Sequence, residues 1–132
     1  MKRGDIWTAA GGPGYAGKPR PVLVLQDDAF PGTDSVVVAL FTTDPTVAPL
    51  LRLPVAPDAT NNLSRPCSLM AEKIVAVPRA KLQRFVGRLD AARMAQVNVL
   101  VATVLGLARA PGGSGAGGAD GSDMVSGVPA PA

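Results

Sequence analysis

The chain has 132 residues, one Cys, no His and a formal net charge of +3. These facts exclude an intrachain disulfide, zinc sites with His ligands, Ser-His-Asp triads and nucleases built on paired histidines. The length predicts one domain, and 47% apolar against 4% aromatic residues predicts a core of mostly Val, Leu and Ala. The segment after Ala110 holds Asp120 and Asp123 and no Lys or Arg, so residues 1–110 carry +5. That balance suits a polyanion or an acidic peptide, and it equally suits a soluble protein with a high isoelectric point. Met1-Lys2-Arg3-Gly4-Asp5 has no apolar run behind it, so no secretory signal is visible. The apolar stretch 97–108 is broken by Asn98, Thr103 and Gly106 and is shorter than the roughly 20 residues of a membrane span. A soluble cytoplasmic protein in a reducing compartment is expected, with no membrane partner.

In chain order, Gly4-Asp5-Ile6-Trp7 predicts a short first strand, and Thr8 to Gly17 a loop rich in Gly. Pro21 to Gln26 predicts a second strand, buried on both faces because no polar residue alternates through Val22-Leu23-Val24-Leu25. Pro31-Gly32 marks a turn. Ser35 to Thr43 predicts a third strand, led by the β-branched run Val36-Val37-Val38 and stopped by Asp44-Pro45. Leu50 to Val55 predicts a short strand with Arg52 on one face, at an edge because of Pro54. A polar loop, 56–66, leads to a strand from Ser68 to Val77, a helical turn within 78–83 and a last strand from Phe85 to Leu89. Asp90 predicts an N-cap for a helix from Ala91 to Ala108 whose apolar stripe is Met94, Val97, Val101, Val104 and Leu105. From Pro111 the composition turns to Gly, Ser, Ala and Pro, which predicts a domain over 1–110 and a disordered tail over 111–132.

Arg20 is the first candidate for chemistry. Pro19 and Pro21 stiffen the chain on either side of it, just before the strand enters the core. A guanidinium held there presents a fork of donors matched to two phosphate oxygens; the other reading is a surface Arg in a turn. Lys18 beside it is a flexible, less directional cation. Thr42 and Thr43 close the third strand, where a hydroxyl donates to a phosphate oxygen or a β-branched residue merely serves the strand. Tyr15, in the glycine loop, either stacks on a base or rests on the protein surface. Glu72 and Lys73 are neighbours in an apolar strand and point to opposite faces, so one of them faces inward or into an interface, most simply as a structural ion pair. The glycine loop lacks the Lys-Ser or Lys-Thr of a phosphate-binding loop. Cys67 has no partner motif, and Trp7 reads as core.

Several segments in this order resemble the MazF/PemK family of bacterial type II toxins: Arg3-Gly4-Asp5-Ile6-Trp7, Gly17-Lys18-Pro19-Arg20-Pro21-Val22-Leu23-Val24, Thr42-Thr43, Ala71-Glu72-Lys73-Ile74 and Val86-Gly87-Arg88-Leu89. The resemblance covers about residues 2–108. It implies a mainly β fold, a small SH3-like β-barrel of five to seven mostly antiparallel strands with a C-terminal helix, assembled as a homodimer. It implies an endoribonuclease that cuts single-stranded mRNA at short motifs without a metal or any other cofactor, the RNA's own 2′-OH attacking phosphorus to leave 2′,3′-cyclic phosphate and 5′-OH ends. Arg20 and Thr43 match the family's catalytic pair, with Lys18, Tyr15 and Thr42 as RNA-binding residues. The partner implied is a cognate antitoxin whose acidic disordered tail occupies the RNA groove. Two alternatives belong to other classes. One is a CcdB-like poison of DNA gyrase, which would need a Trp at the tip of the C-terminal helix; the other is an inactive binding module that keeps only the barrel. The chemistry of the residues agrees with the nuclease: with no His there is no usual general base near neutral pH, and Arg20 is suited to stabilising charge on a phosphorane-like transition state rather than to moving a proton.

Overall fold

A computed structural model describes residues 1–10 and 18–109. Six strands form one antiparallel sheet: β1 (Asp5–Ala9), β2 (Arg20–Val24), β3 (Ser35–Thr42), β4 (Arg52–Val55), β5 (Cys67–Pro78) and β6 (Leu82–Arg88). A 3-10 turn, Arg79–Lys81, separates β5 from β6, and one helix, α1 (Ala91–Val104), follows. The strand order is β4-β5-β3-β2-β1-β6. Among the described residues no pairing joins β4 to β6, so the sheet is open, with these two strands as its edges. Pro54, exposed in β4, lacks an amide proton for a further ladder, which suits an edge.

The apolar run of β2 is buried on both faces, as its lack of alternation requires. Leu23 belongs to one cluster with Ile6, Ala39, Leu69, Val97 and Leu100, under the helix. Val22 and Val24 belong to a second cluster with Ala9, Val36 and Val38, where Trp7, Leu40, Val77 and Leu82 complete the packing. Among the described residues no helix residue takes part in this second cluster, whose members come from β1, β2, β3, β5 and β6. The pairing is irregular in two strand pairs, and such irregularities bend a strand locally. Between β1 and β6 the register shifts twice, after Ile6 and after Thr8. Between β3 and β5 it jumps from Ala39 opposite Ile74 to Leu40 opposite Met70, leaving Ala71, Glu72 and Lys73 without partners on β3.

The helix begins where expected: the Asp90 side chain accepts the Arg93 amide at 2.8 Å. It stops at Val104 rather than Ala108, because Gly106 takes φ +77° and turns the chain out of the helix. The inward stripe also differs by one position. Val97 and Leu100 are buried, with Met94, Val101 and Val104 packed beside them, whereas Leu105 is exposed as the C-cap. Among the described residues no helix is long and apolar enough to cross a membrane.

Candidate active site

Arg20 opens β2, one residue earlier than the sequence suggested, and is exposed while Val22 to Val24 are buried. It pairs with Ala9 of β1. On its other side β2 meets β3 through Val22 opposite Leu40, Leu23 opposite Ala39 and Val24 opposite Val38. The same offset carried two residues further sets Arg20 level with Thr42. Alternation puts Arg20 on the face of Val22 and Val24, and Thr42 on the face of Leu40 and Val38, which is the same helix-free face. Thr42 in turn pairs with Ser68 of β5, and Ser68 with Pro54 of β4. One row across the sheet end therefore reads Pro54, Ser68, Thr42, Arg20, Ala9, Leu82.

Thr42 Oγ1 accepts the amide of Asp44 at 3.1 Å, which leaves its O–H proton available for donation. β3 ends at Thr42; Thr43 is the first residue beyond it and lines a cleft of about 330 Å³ between the β3–β4 connection and the start of β5. Pro45, Val47, Pro54 and Pro66 give this cleft apolar walls. Asp44, Arg52, Cys67 and Ser68 give it polar ones. Asp44 is held in place by Thr46, whose hydroxyl and amide donate to Oδ1 at 2.7 and 2.9 Å. These bonds, the hydroxyl's first, and more weakly the Arg52 charge hold its carboxyl below the usual carboxylate range. Arg52 binds Glu72 and extends Nη1 to within 3.9 Å of Asp44 Oδ2. Partial burial pushes the Cys67 thiol up.

Of the residues singled out from sequence, Arg20 and Thr42 are thus brought level on one face, and Thr43 sits one step away on the cleft. Lys18 is exposed two residues before β2. Tyr15 lies outside the described residues, as do 110–132. Trp7 is half-buried in β1, edge-on to Phe85 at 6.1 Å between ring centroids. Reading the sequence missed the cleft and the Asp44–Arg52 contact. Arg52 and Glu72 were each visible as a charge in a strand, but only the β4–β5 register makes them neighbours.

Among the described residues the architecture is thus an antiparallel sheet of six strands and one C-terminal helix, with Arg20 at the start of β2 and Thr42-Thr43 at the end of β3. The chain belongs to the PemK-like, MazF-like toxin family of type II toxin–antitoxin systems, whose family model matches residues 2–105. It is 48% identical over 108 residues to "Probable endoribonuclease MazF" of Mycolicibacterium smegmatis, covering 82% of this chain and 99% of that one. Among solved structures it is similar to an endoribonuclease in complex with its cognate antitoxin from a mycobacterial species, with 26% identity, a TM-score of 0.67, and 82% and 97% of the two chains covered. It is also similar to the Mycobacterium tuberculosis toxin MazF-mt6, with 26% identity, a TM-score of 0.65, and 77% and 96% covered.

Proposed function

We propose that this chain is a cytoplasmic, homodimeric endoribonuclease that cuts single-stranded mRNA at short motifs and is held in check by an antitoxin. The mechanism is carried by the β2–β3 register: Val22 lies opposite Leu40, and the same offset two residues further sets Arg20 level with Thr42. The 2′ oxygen forms a bond to phosphorus as the bond from phosphorus to the 5′ oxygen breaks. The 2′ proton is lost, the 5′ oxygen gains one, and 2′,3′-cyclic phosphate and 5′-OH ends result. Arg20 stabilises the extra negative charge on the pentavalent phosphorus with a fork of permanent donors. Thr42 and Thr43 bring neutral hydroxyls to the same oxygens, and the register favours Thr42 as the nearer partner of Arg20. Lys18 supplies a flexible charge for a flanking phosphate, and Tyr15 a ring for a neighbouring base.

The valines buried on the helix-free face, together with the register shifts, support reading the sheet as an SH3-like barrel. The mycobacterial toxin solved with its cognate antitoxin supports a partner of the same kind here, whose acidic disordered segment would compete with RNA for the basic groove. The gyrase-poison alternative finds no support: the one Trp of the chain is packed in β1, not at the helix tip. The tail 111–132 lies beyond the family match, and a chain ending at Ala110 is expected to keep cleavage.

The test is to incubate the purified protein with a long RNA, with and without EDTA, and to map the cut ends. Cyclic-phosphate ends and chelator-insensitive cleavage are expected, with Arg20→Ala slower by at least roughly 100- to 1,000-fold while still folded. Cleavage by Arg20→Ala at the wild-type rate would overturn the clamp, and cleavage stopped by chelator would overturn the metal-free reaction.

A further inference from the structure

The cleft shares Thr43 with the proposed phosphate chemistry, which leaves its other walls unused, and it lies in the same row of the sheet. Ser68, on its wall, is the neighbour of Thr42, which is level with Arg20. Adjacent strands are about 4.8 Å apart, so the start of β5 lies roughly 10 Å from the Arg20 backbone, comparable to the reach from a phosphate to the base of the adjoining nucleotide. About 330 Å³ is at the lower end of ligand-pocket sizes and has room for one nucleobase. The walls Pro45, Val47, Pro54 and Pro66 offer flat or branched apolar surfaces to a ring. The loop is also tied to the phosphate site, because the Asp44 amide donates to Thr42 Oγ1.

We propose that this cleft seats the base next to the scissile phosphate and that Asp44 selects a base carrying an exocyclic amine, so that cytosine, adenine or guanine is accepted and uracil is rejected. The inference rests on the endoribonuclease reading above. Asp44 Oδ1 is occupied by Thr46, whereas among the described residues Oδ2 has only the 3.9 Å approach of Arg52. An ionised carboxylate accepts hydrogen bonds and cannot donate. The amines of cytosine, adenine and guanine satisfy it, while uracil turns carbonyl oxygens towards it and offers only its N3–H. Arg52, braced by Glu72, acts as a positioning residue that keeps Asp44 at the cleft's rim.

Two measurements on the full chain test this. First, wild type and Asp44→Asn cut a randomised RNA, and both ends of the products are sequenced. Wild type is expected to disfavour uracil on the order of tenfold at one position beside the cut, and Asp44→Asn, whose amide both donates and accepts, to admit it. An unchanged base pattern in Asp44→Asn would overturn the assignment. Second, Cys67 is the only cysteine of the chain and lines the cleft, so its alkylation reports occupancy without any cleavage. A 2′-O-methyl oligonucleotide of cytidine should slow N-ethylmaleimide labelling of Cys67, and one of uridine should not. Equal labelling rates with both would overturn the proposal. Protection without any cleavage of ordinary RNA would keep the subsite and remove the nuclease reading.

Discussion

Arg52 of β4 holds Glu72 of β5 through two nitrogens, Nε and Nη2, each 3.1 Å from the same carboxylate oxygen. The side chains are 18% and 22% exposed, between the screened surface pair and the fully buried one. Arg52 Nη1 and Glu72 Oε1 are buried without a hydrogen-bond partner among the described residues, so either residue alone would be poorly satisfied. Glu72→Gln and Arg52→Gln are each expected to cost about 2 kcal/mol. The double variant should cost less than the sum of the two, which urea denaturation of all four proteins will measure. Additive losses would mean that the pair carries no coupling.

Gly87 sits in β6 directly over the polar loop. A Cβ there would lie 2.5 Å from the Asn61 carbonyl oxygen and 2.6 Å from that of Thr60, both backbone atoms. The loop cannot easily retreat, because Arg88 donates to the Thr60 carbonyl at 3.0 Å and Asn61 is buried. Gly87→Ala should therefore destabilise by about 3 kcal/mol, read as a shift in denaturation midpoint. Unaltered stability would show that the loop moves freely.

Acid should loosen the helix start. The Asp90 carboxylate accepts the Arg93 amide and pairs with its guanidinium, and these contacts, the amide bond first, hold its carboxyl below the ordinary value of 3.8. A lowered folded value means that Asp90 contributes stability above the unfolded value and loses it as pH falls through the folded one. Asp90→Ala should thus lower Tm at neutral pH, and its deficit relative to wild type should shrink once the pH drops below about 3.8. A deficit that stays constant into strong acid would remove the charge from the cap.

At the proposed phosphate site, Arg20→Lys should restore little of the activity lost in Arg20→Ala, since an ammonium lacks the planar fork. Thr42→Ala should slow cleavage more than Thr43→Ala, and both should cost less than loss of the guanidinium, because they remove neutral donors. Single-turnover rates on one RNA, each with a melting curve, separate these effects. A larger loss in Thr43→Ala would place the reacting phosphate one residue further along the chain.

Much of this was legible in the residues. An unbroken apolar run in β2 demanded burial on both faces, and the two clusters that divide Val22 and Val24 from Leu23 meet that demand. Pro54 announced an edge and Asp90 a helix start. The length of the helix was less legible, because the apolar stripe continues past the point where Gly106 turns the chain. Asn61 read only as loop, although its buried amide ties together the backbone of Ala56, Asp58 and Leu63. The cleft was invisible for a different reason. Its walls come from segments that periodicity cannot bring together, and only strand register sets Ser68 beside Thr42 and Arg52 within reach of Asp44.

Ala71, Glu72 and Lys73 separate β5 into two lengths of ladder that keep different offsets against β3. A one-residue slip in a continuous strand would turn every later side chain to the opposite face. Here the three-residue excursion acts as an expansion joint, pinned by the Ala71 amide on the Leu51 carbonyl at 2.8 Å. The half that borders the cleft and the half opposite Ser35–Ala39 therefore keep separate registers against β3, and the first takes its alignment from β4 as well.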